Sequence, residues 1–488
     1  MSGDWLSRRY GALVDALEGS ASDDTTIPTA TLEQAVAAVE RAPGEESTWL
    51  ALSVISGHLP AEHEVQTAHR TMELNGVRSV IESIAAAPRG LGALRAPNAV
   101  EVLRNAVVID IMHTAETELA TGIQRVARET VRRWNTDHDV VFVTWRDDRR
   151  SLRRLTASEH ARALYGTHAT TRDKHVGRMP IVVPWQGHFL LPELAAEPWR
   201  TERIASIARF ARTRSGVIGF DCVPLTSVET VADGMASHFA WNLGAVAHMD
   251  RVASISKAAG IEYGGWRRML APTGIPGPRI ETVFLPSEAE DATDAGLVEF
   301  KKLIDYDESD PLVLVVGSHE PRKNHMAVLS AAETLWNEGH RFQLVFIGGN
   351  SWNSRAFTAQ ITRLHSLDRK VLSVSGIADP LLWAAYRLAR FTVFPSVNEG
   401  FGLPVGESLS AGTPVVTSQH GSMREIAELA GGAVLVNPYD DDSIAAGMRS
   451  LIDNDLLIAE LRVEALNHPT RGWDDYAAEL WDYLVSTD

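Results

Sequence analysis

Glu399 and Glu407 are carboxylates separated by a glycine-rich turn, in the segment FPSVNEGFGLPVGESLSAGTPVVT, residues 394–417. Gly400 and Gly402 allow a close backbone approach that a Cβ would block. Pro404 stands where the first turn of a helix would start, and Gly412 where it would end. The free N–H groups of that helix face the glycine-rich loop and form a pocket for an anion. Glu407 lies near those N–H groups, and Glu399 lies just before the loop and reads as an exposed carboxylate. Carboxylates repel phosphate, so both are assigned to hydroxyl groups. A ligand with sugars on both sides of a diphosphate meets those requirements, and that is a nucleotide sugar.

A second cluster follows the apolar run PLVLVVG, residues 311–317, which ends on Gly317. The next residues, SHEPRKNH, carry Arg322 and Lys323 to the carboxyl edge of the expected strand. Cations there neutralise a diphosphate and the charge that grows on a departing nucleoside diphosphate. Taken alone, the pair would read as solvated cations in a loop; beside the Glu399 loop, the phosphate reading is preferred.

The elements that must position these residues form two series. AVVIDIM from 106, VVFVTW (140–145), IVVPW (181–185), SGVIGFD (215–221) and DRVASIS (250–256) read as buried strands, and ETVFLPS (281–287) closes the series. The second series is PLVLVVG, FQLVFIGG (342–349), KVLSVSG (370–376), RFTVFPS (390–396), TPVVTS (413–418) and GAVLVNP (432–438). Strands separated by helical stretches predict parallel α/β sheets, with a ligand crevice between the strand carboxyl ends. Residues 1–100 read as polar amphipathic helices, an accessory domain for docking a partner or a second copy. Residues 87–98 read as the linker after it, and 288–309 as a hinge between the α/β halves.

The chain has 488 residues, too many for one core, and a formal net charge of −17 that argues against a general nucleic-acid binder. Its single cysteine, Cys222, excludes an internal disulfide and fits a reducing compartment. The opening MSGDWLSRRY has no apolar core of a signal peptide, and no run approaches the length of a membrane span. A cytoplasmic location is expected. Two arginine-rich stretches, 146–154 and 199–214, leave open either peripheral contact with an anionic membrane face or a solvated helix face. The acidic pairs Asp137/Asp139, Asp305/Asp307 and Asp453/Asp455 read as solvated turns, and the histidines have no ligand spacing, so no metal is expected.

The segment 394–417 resembles the E-x7-E signature of retaining glycosyltransferases with two facing Rossmann-like domains, the GT-B architecture of glycosyltransferase family 4 (group 1 type). The resemblance spans roughly residues 104–484. Beyond the helical domain read above at 1–100, which it does not cover, it implies an acceptor domain (101–290), a donor domain (291–470) and a last helix (471–488) packed back on the acceptor domain. It implies that Glu399 holds the donor sugar, that Glu407 accepts ribose hydroxyls, and that the backbone of Phe401, Gly402 and Leu403 meets the phosphates. Lys323 aligns with the lysine of the G-x-x-x-P-x-K-N/G stretch that begins here at Gly317. Gly376 and Ile377 stand where the family frames the nucleobase. TGIQRV resembles the acceptor-side glycine loop, with Thr121 in place of one glycine and Gly122 retained; an ordinary helix start is the other reading. Phe220-Asp221 stands where the family often has His-Asp, and Asp221 is open to a polar role at the reacting sugar or to a capping role. Ser254, Ser256 and the stretch Ser422 to Glu425 match further family positions.

The function so implied is retaining transfer of a sugar to a hydroxyl of a glycan, lipid-linked or small-molecule acceptor, in polysaccharide or glycoconjugate synthesis. The donor is the nucleotide sugar; no cofactor and no metal is expected. The rivals are another enzyme on this scaffold, such as an epimerase or phosphorylase, and a non-catalytic scaffold that docks a partner through residues 1–100.

Overall fold

Aliphatic and β-branched runs build two sheets. In the computed structural model, described over residues 4–19, 28–86, 98–117, 121–167, 176–351, 354–467 and 471–486, the first sheet contains β1 (Val100–Arg104), β2 (Val107–Asp110), β3 (Val140–Trp145), β4 (Leu152–Arg154), β5 (Ile181–Trp185), β6 (His188–Leu191), β7 (Arg214–Gly219), β8 (Arg251–Ser254) and β9 (Arg279–Thr282). Its order is β1-β5-β4-β3-β2-β6-β7-β8-β9, and β4 alone runs antiparallel to its neighbours. The second sheet contains β10 (Leu312–Val316), β11 (Gln343–Ile347), β12 (Val371–Val374), β13 (Phe391–Phe394), β14 (Val415–Ser418) and β15 (Ala433–Val436). Its order is β12-β11-β10-β13-β14-β15, all parallel. The molecule thus has the GT-B-like α/β fold, with helices at its N-terminal end.

Strand order determines where a site can form. In the second sheet the chain winds outward from β10 to β12, then crosses back to β13 beside β10. The crevice at this reversal lies at the carboxyl ends of β10 and β13. Those ends lead into Gly317 with Arg322 and Lys323, and into Ser396 with Glu399.

Three strands carry no strong signal in the sequence. β1 is half-buried along its whole length, β4 has three residues, and β6 follows β5 after a two-residue break. β1–β2 and β5–β6 run side by side and both break at a residue of positive φ, Asn105 (55°) and Gln186 (56°). Gly187 is required there, because a Cβ would lie 2.2 Å from the Ala106 carbonyl oxygen.

The first five helices, from Asp4–Glu18 to Val77–Ala86, lie against β1, β5 and the helix Pro198–Phe210. Trp49 stacks on Trp185 at 6.3 Å, and the Trp185 indole donates to the Ala16 carbonyl at 3.2 Å. Leu13, Val54 and Ile55 belong to one hydrophobic cluster with Val182, Ile204 and Phe210. The helices and the first sheet therefore share a core. The expected linker lies outside the described residues except for Asn98, whose carbonyl accepts from Arg9 at 3.0 Å.

The stretch 288–309 is not an open hinge. It contains the helix Asp294–Leu303, whose Phe300 is fully buried and which packs on the helix Asp379–Leu388 of the second half. At the other end, the helix Trp473–Val485 lies against the helix Gly122–Asp137 and against β7 and β8. Its Ala477 carbonyl accepts from the Trp134 indole at 3.0 Å, and Trp481 stacks on His138 at 3.6 Å.

The arginine-rich stretches are divided: Arg153, Arg200 and Arg203 are buried, whereas Arg149, Arg150, Arg154, Arg209, Arg212 and Arg214 are exposed. Arg200 is fully buried and paired with Asp110 and Glu193. Arg153 pairs with Glu159, Arg150 with Glu64, Arg154 with Glu101 and Arg209 with Glu62. Most of the helix Pro198–Phe210 is interior, with Arg209 on its exposed side. Among the described residues, no helix is long and apolar enough to cross a membrane.

Candidate functional site

The loop after β13 brings its carboxylate inward. Glu399 is only 8% exposed, which corrects the expectation of an exposed group. Lys323 Nζ donates to its Oε1 at 2.7 Å, Ser396 Oγ donates to the same oxygen at 2.7 Å, and the Arg322 guanidinium pairs with Oε2. Burial alone would raise the Glu399 pKa, but Arg322 and Lys323, with their hydrogen bonds, hold it down to about 2. The loop is thus drawn in by charge: two cations from the end of β10 take a carboxylate from the end of β13. Lys323 keeps further donors for an anion.

The glycines act as the sequence analysis requires. Gly402 caps the helix Leu403–Ser410 with φ 101°, which disfavours any residue with a Cβ. Pro404 stands in its first turn, and no side chain caps its N–H groups. Glu407, on this helix, is buried and accepts from Tyr386 Oη at 2.8 Å. Its other oxygen pairs with Arg125 at 2.5 Å, from the opposite half of the molecule.

The halves meet at several further points. A Cβ on Gly400 would lie 2.6 Å from the Phe220 carbonyl oxygen and 2.7 Å from Asp221 Oδ2. Ser256 Oγ donates to the Gly400 carbonyl at 2.6 Å, and Ser422 Oγ to the Glu399 carbonyl at 2.9 Å. Glu425 accepts from the Lys257 amide at 3.0 Å, which gives it a structural part in the same seam. Asp221 is pushed up to about 6 by burial, against the pull of Arg322 and with a further push from Glu262. Its Oδ1 also accepts from the Val223 amide at 3.1 Å, a local capping bond. Thr121 stands at the start of the helix Gly122–Asp137, and Gly122 is placed so that a Cβ there would lie 3.6 Å from a Leu403 methyl.

Arg322, Lys323, Glu399 and Asp221 therefore form one charged cluster, and Glu407, Leu403 and Gly122 lie along the same seam. Phe401 is buried, and its ring meets Phe284 edge-on at 5.1 Å. Gly317 has φ 143°, and its carbonyl lies against Gly348 too closely for a Cβ there. Gly376, with φ 67°, and Ile377 follow β12, two strands out from β10. Arg125, Tyr386, Ser396 and Asn398 contribute without having been singled out in the sequence. Arg125 and Ser396 stand in motifs already quoted, whereas nothing local distinguishes Tyr386.

Residues 299–467 match the sequence model of the family described as glycosyl transferases group 1. The serotype-specific mannosyltransferase WbdA of Escherichia coli is 25% identical over 337 residues, covering 66% of this chain and 38% of WbdA. The D-inositol 3-phosphate glycosyltransferase of Thermobispora bispora is 33% identical over 184 residues, 35% of this chain and 41% of that protein. The aligned regions thus span about two fifths of these relatives' lengths. Anabaena HepE, solved in complex with UDP and glucose, shares the fold with a TM-score of 0.52 at 13% identity, covering 78% of this chain and 96% of that one. Over residues 299–467 the chain is thus similar to the glycosyl transferases group 1 family, and it has a GT-B-like fold.

Proposed function

We propose that this protein is a retaining glycosyltransferase. It moves a sugar from a nucleoside-diphosphate sugar to a hydroxyl of a glycan, lipid-linked or small-molecule acceptor, in polysaccharide or glycoconjugate synthesis. The observation that carries this reading is the Arg322–Lys323–Glu399 cluster at the strand-order reversal, beside the uncapped N-terminus of Leu403–Ser410. The mannosyltransferase relatives and the UDP in a structure of the same fold support it.

In this mechanism the nucleotide lies on the second half, with Glu407 on the ribose hydroxyls and Gly376 and Ile377 at the base. The backbone of Phe401, Gly402 and Leu403 meets the diphosphate. Arg322 and Lys323 neutralise the charge that develops as the bond from the sugar to the diphosphate breaks. They do so without assigning a metal ion to the reaction. Glu399 orients the sugar hydroxyls, and its ion pairs fix its position beforehand. The acceptor hydroxyl attacks from the side the diphosphate leaves, and its proton passes to the departing phosphate oxygen. Retention rests on the family resemblance. Asp221 and the Thr121–Gly122 turn border the acceptor side, and the seam between the halves excludes water.

The test is a thermal-shift panel of UDP-, GDP-, dTDP- and ADP-sugars, with Glu407→Ala as control. One nucleotide series is expected to raise the melting temperature, by the mass-action term of about 2.7 kcal/mol at a hundredfold excess over Kd. The control is expected to lose the effect. No shift with any donor would favour a non-catalytic scaffold.

A further inference from the structure

The site is joined across the seam by a chain of hydrogen bonds that begins on a residue outside it. Glu262 lies on the helix Lys257–Leu270 of the first half. One of its oxygens accepts from the Cys222 amide at 2.7 Å, and the other from the Thr226 hydroxyl at 2.9 Å. The Cys222 carbonyl lies 3.2 Å from the same hydroxyl, but the nearer carboxylate is the stronger acceptor, and with its proton given to Glu262 the hydroxyl turns a lone pair towards the second half. The Asn398 side-chain amide donates to it at 3.2 Å, to Ser227 Oγ at 3.0 Å and, at a longer 3.4 Å, to Glu262 itself. Both amide protons of Asn398 are thus taken by a cup in the first half. Its backbone carbonyl accepts from Arg322 NH1 at 2.9 Å, and Arg322 in turn pairs with Glu399.

We infer that Glu262 is a positioning residue, which docks Asn398 across the seam and so sets Arg322 and Glu399 for the reaction. This deepens the glycosyltransferase reading and rests on it for its kinetic arm. The polarity of the chain supports it. Glu262 accepts and cannot donate when ionised, so it orients Thr226 one way. The bond at the far end carries a charge on the donor, which makes it one of the stronger contacts of the loop. Neither Glu262 nor Asn398 touches the carboxylate of Glu407, so the nucleotide half of the site does not depend on the chain.

The experiment compares the full-length protein with Glu262→Ala, Asn398→Ala and, as a control on an exposed side of the same helix, Arg268→Ala. Hydrogen exchange of peptides covering 396–402 is read first, and it needs no substrate. Both alanine variants are expected to exchange faster there than the parent and the control. Unchanged exchange at 396–402 would overturn the inference. Hydrolysis of UDP-glucose and GDP-mannose is read next, with UDP and GDP binding by calorimetry. With a sugar the parent hydrolyses, both variants are expected to lose about tenfold or more in kcat, since small misplacements of a reacting geometry cost that much. KM and nucleotide affinity are expected to stay within about twofold, as for a group acting only in the transition state. Parental kcat, or an equal loss of nucleotide affinity, would reduce Glu262 to a packing role and overturn the inference. If the parent hydrolyses neither sugar and binds neither nucleotide, the glycosyltransferase reading is judged by the four-nucleotide panel above, and the exchange result alone decides the positioning.

Discussion

Asp221 and Glu399 stand in the same charged cluster and are driven in opposite directions. Asp221 is raised from 3.8 to about 6, so it holds its proton more tightly in the folded chain than in the unfolded one. Its contribution to stability is complete below about pH 4 and is lost as pH rises through 6. Asp221→Asn is therefore expected to gain stability over the parent above pH 6, on the order of 1 kcal/mol for this partly exposed group, and nothing below pH 4. Urea unfolding across pH 4–8 reads this out, and a constant difference across that range would contradict it. Glu399 is lowered from 4.5 to about 2, so its contribution is present above about pH 4.5 and fades as pH falls towards 2. Glu399→Gln leaves Lys323 buried without its counter-charge and Arg322 with only Glu320 beside it, and about 3 kcal/mol of stability is expected to be lost at pH 7. The loss shrinks below pH 4.5, and unfolding curves at pH 7 and pH 4 measure the change.

At the scale of elements, the loop after β13 is one of the places where the two halves meet. Gly400 has no space for a side chain, because the Phe220 carbonyl and Asp221 already occupy it. Gly400→Ala must push the loop from the first half and weaken the bond from Ser256. A fall of tenfold or more in turnover is expected, with each half still folded, because misplacing a catalytic group has that effect without unfolding the chain. Small-angle scattering and turnover measured on the same preparation test it: wild-type dimensions with wild-type turnover would show that the loop tolerates the displacement. The repeated strand-and-helix pattern, the glycines and the Pro404 turn make this region legible in the sequence. Glu399 reads as exposed in the sequence because its two cations lie 76 and 77 residues away and reach it only through the pairing of β10 with β13.

At the scale of the molecule, the N-terminal helices and the first sheet share one core and are expected to unfold together. Trp49 is fully buried and stacked on Trp185. Trp49→Ala is expected to cost about 3–5 kcal/mol, the range for truncating a buried aromatic. The loss should fall on the unfolding of the first half, and nucleotide should protect the second half. Calorimetry with and without the nucleotide identified in the thermal-shift panel separates these contributions. Loss confined to the N-terminal helices, with the first sheet unaffected, would show that they fold apart from it.

The α/β alternation and the second series of strands were legible in the chain alone, as was the grouping of carboxylates, glycines and cations in short segments. Those depend on local periodicity, on glycine conformations and on the nature of carboxylates and cations within short segments. Tertiary structure decided what depends on meetings between distant segments. Arg125 with Glu407 and Glu262 with Asn398 each join positions more than a hundred residues apart, and Arg200 turned from a surface cation into a buried partner of Asp110 and Glu193. A side chain's local pattern specifies what it can bond, but its burial and its partner follow from which strand ends and helix faces the sheet order brings together.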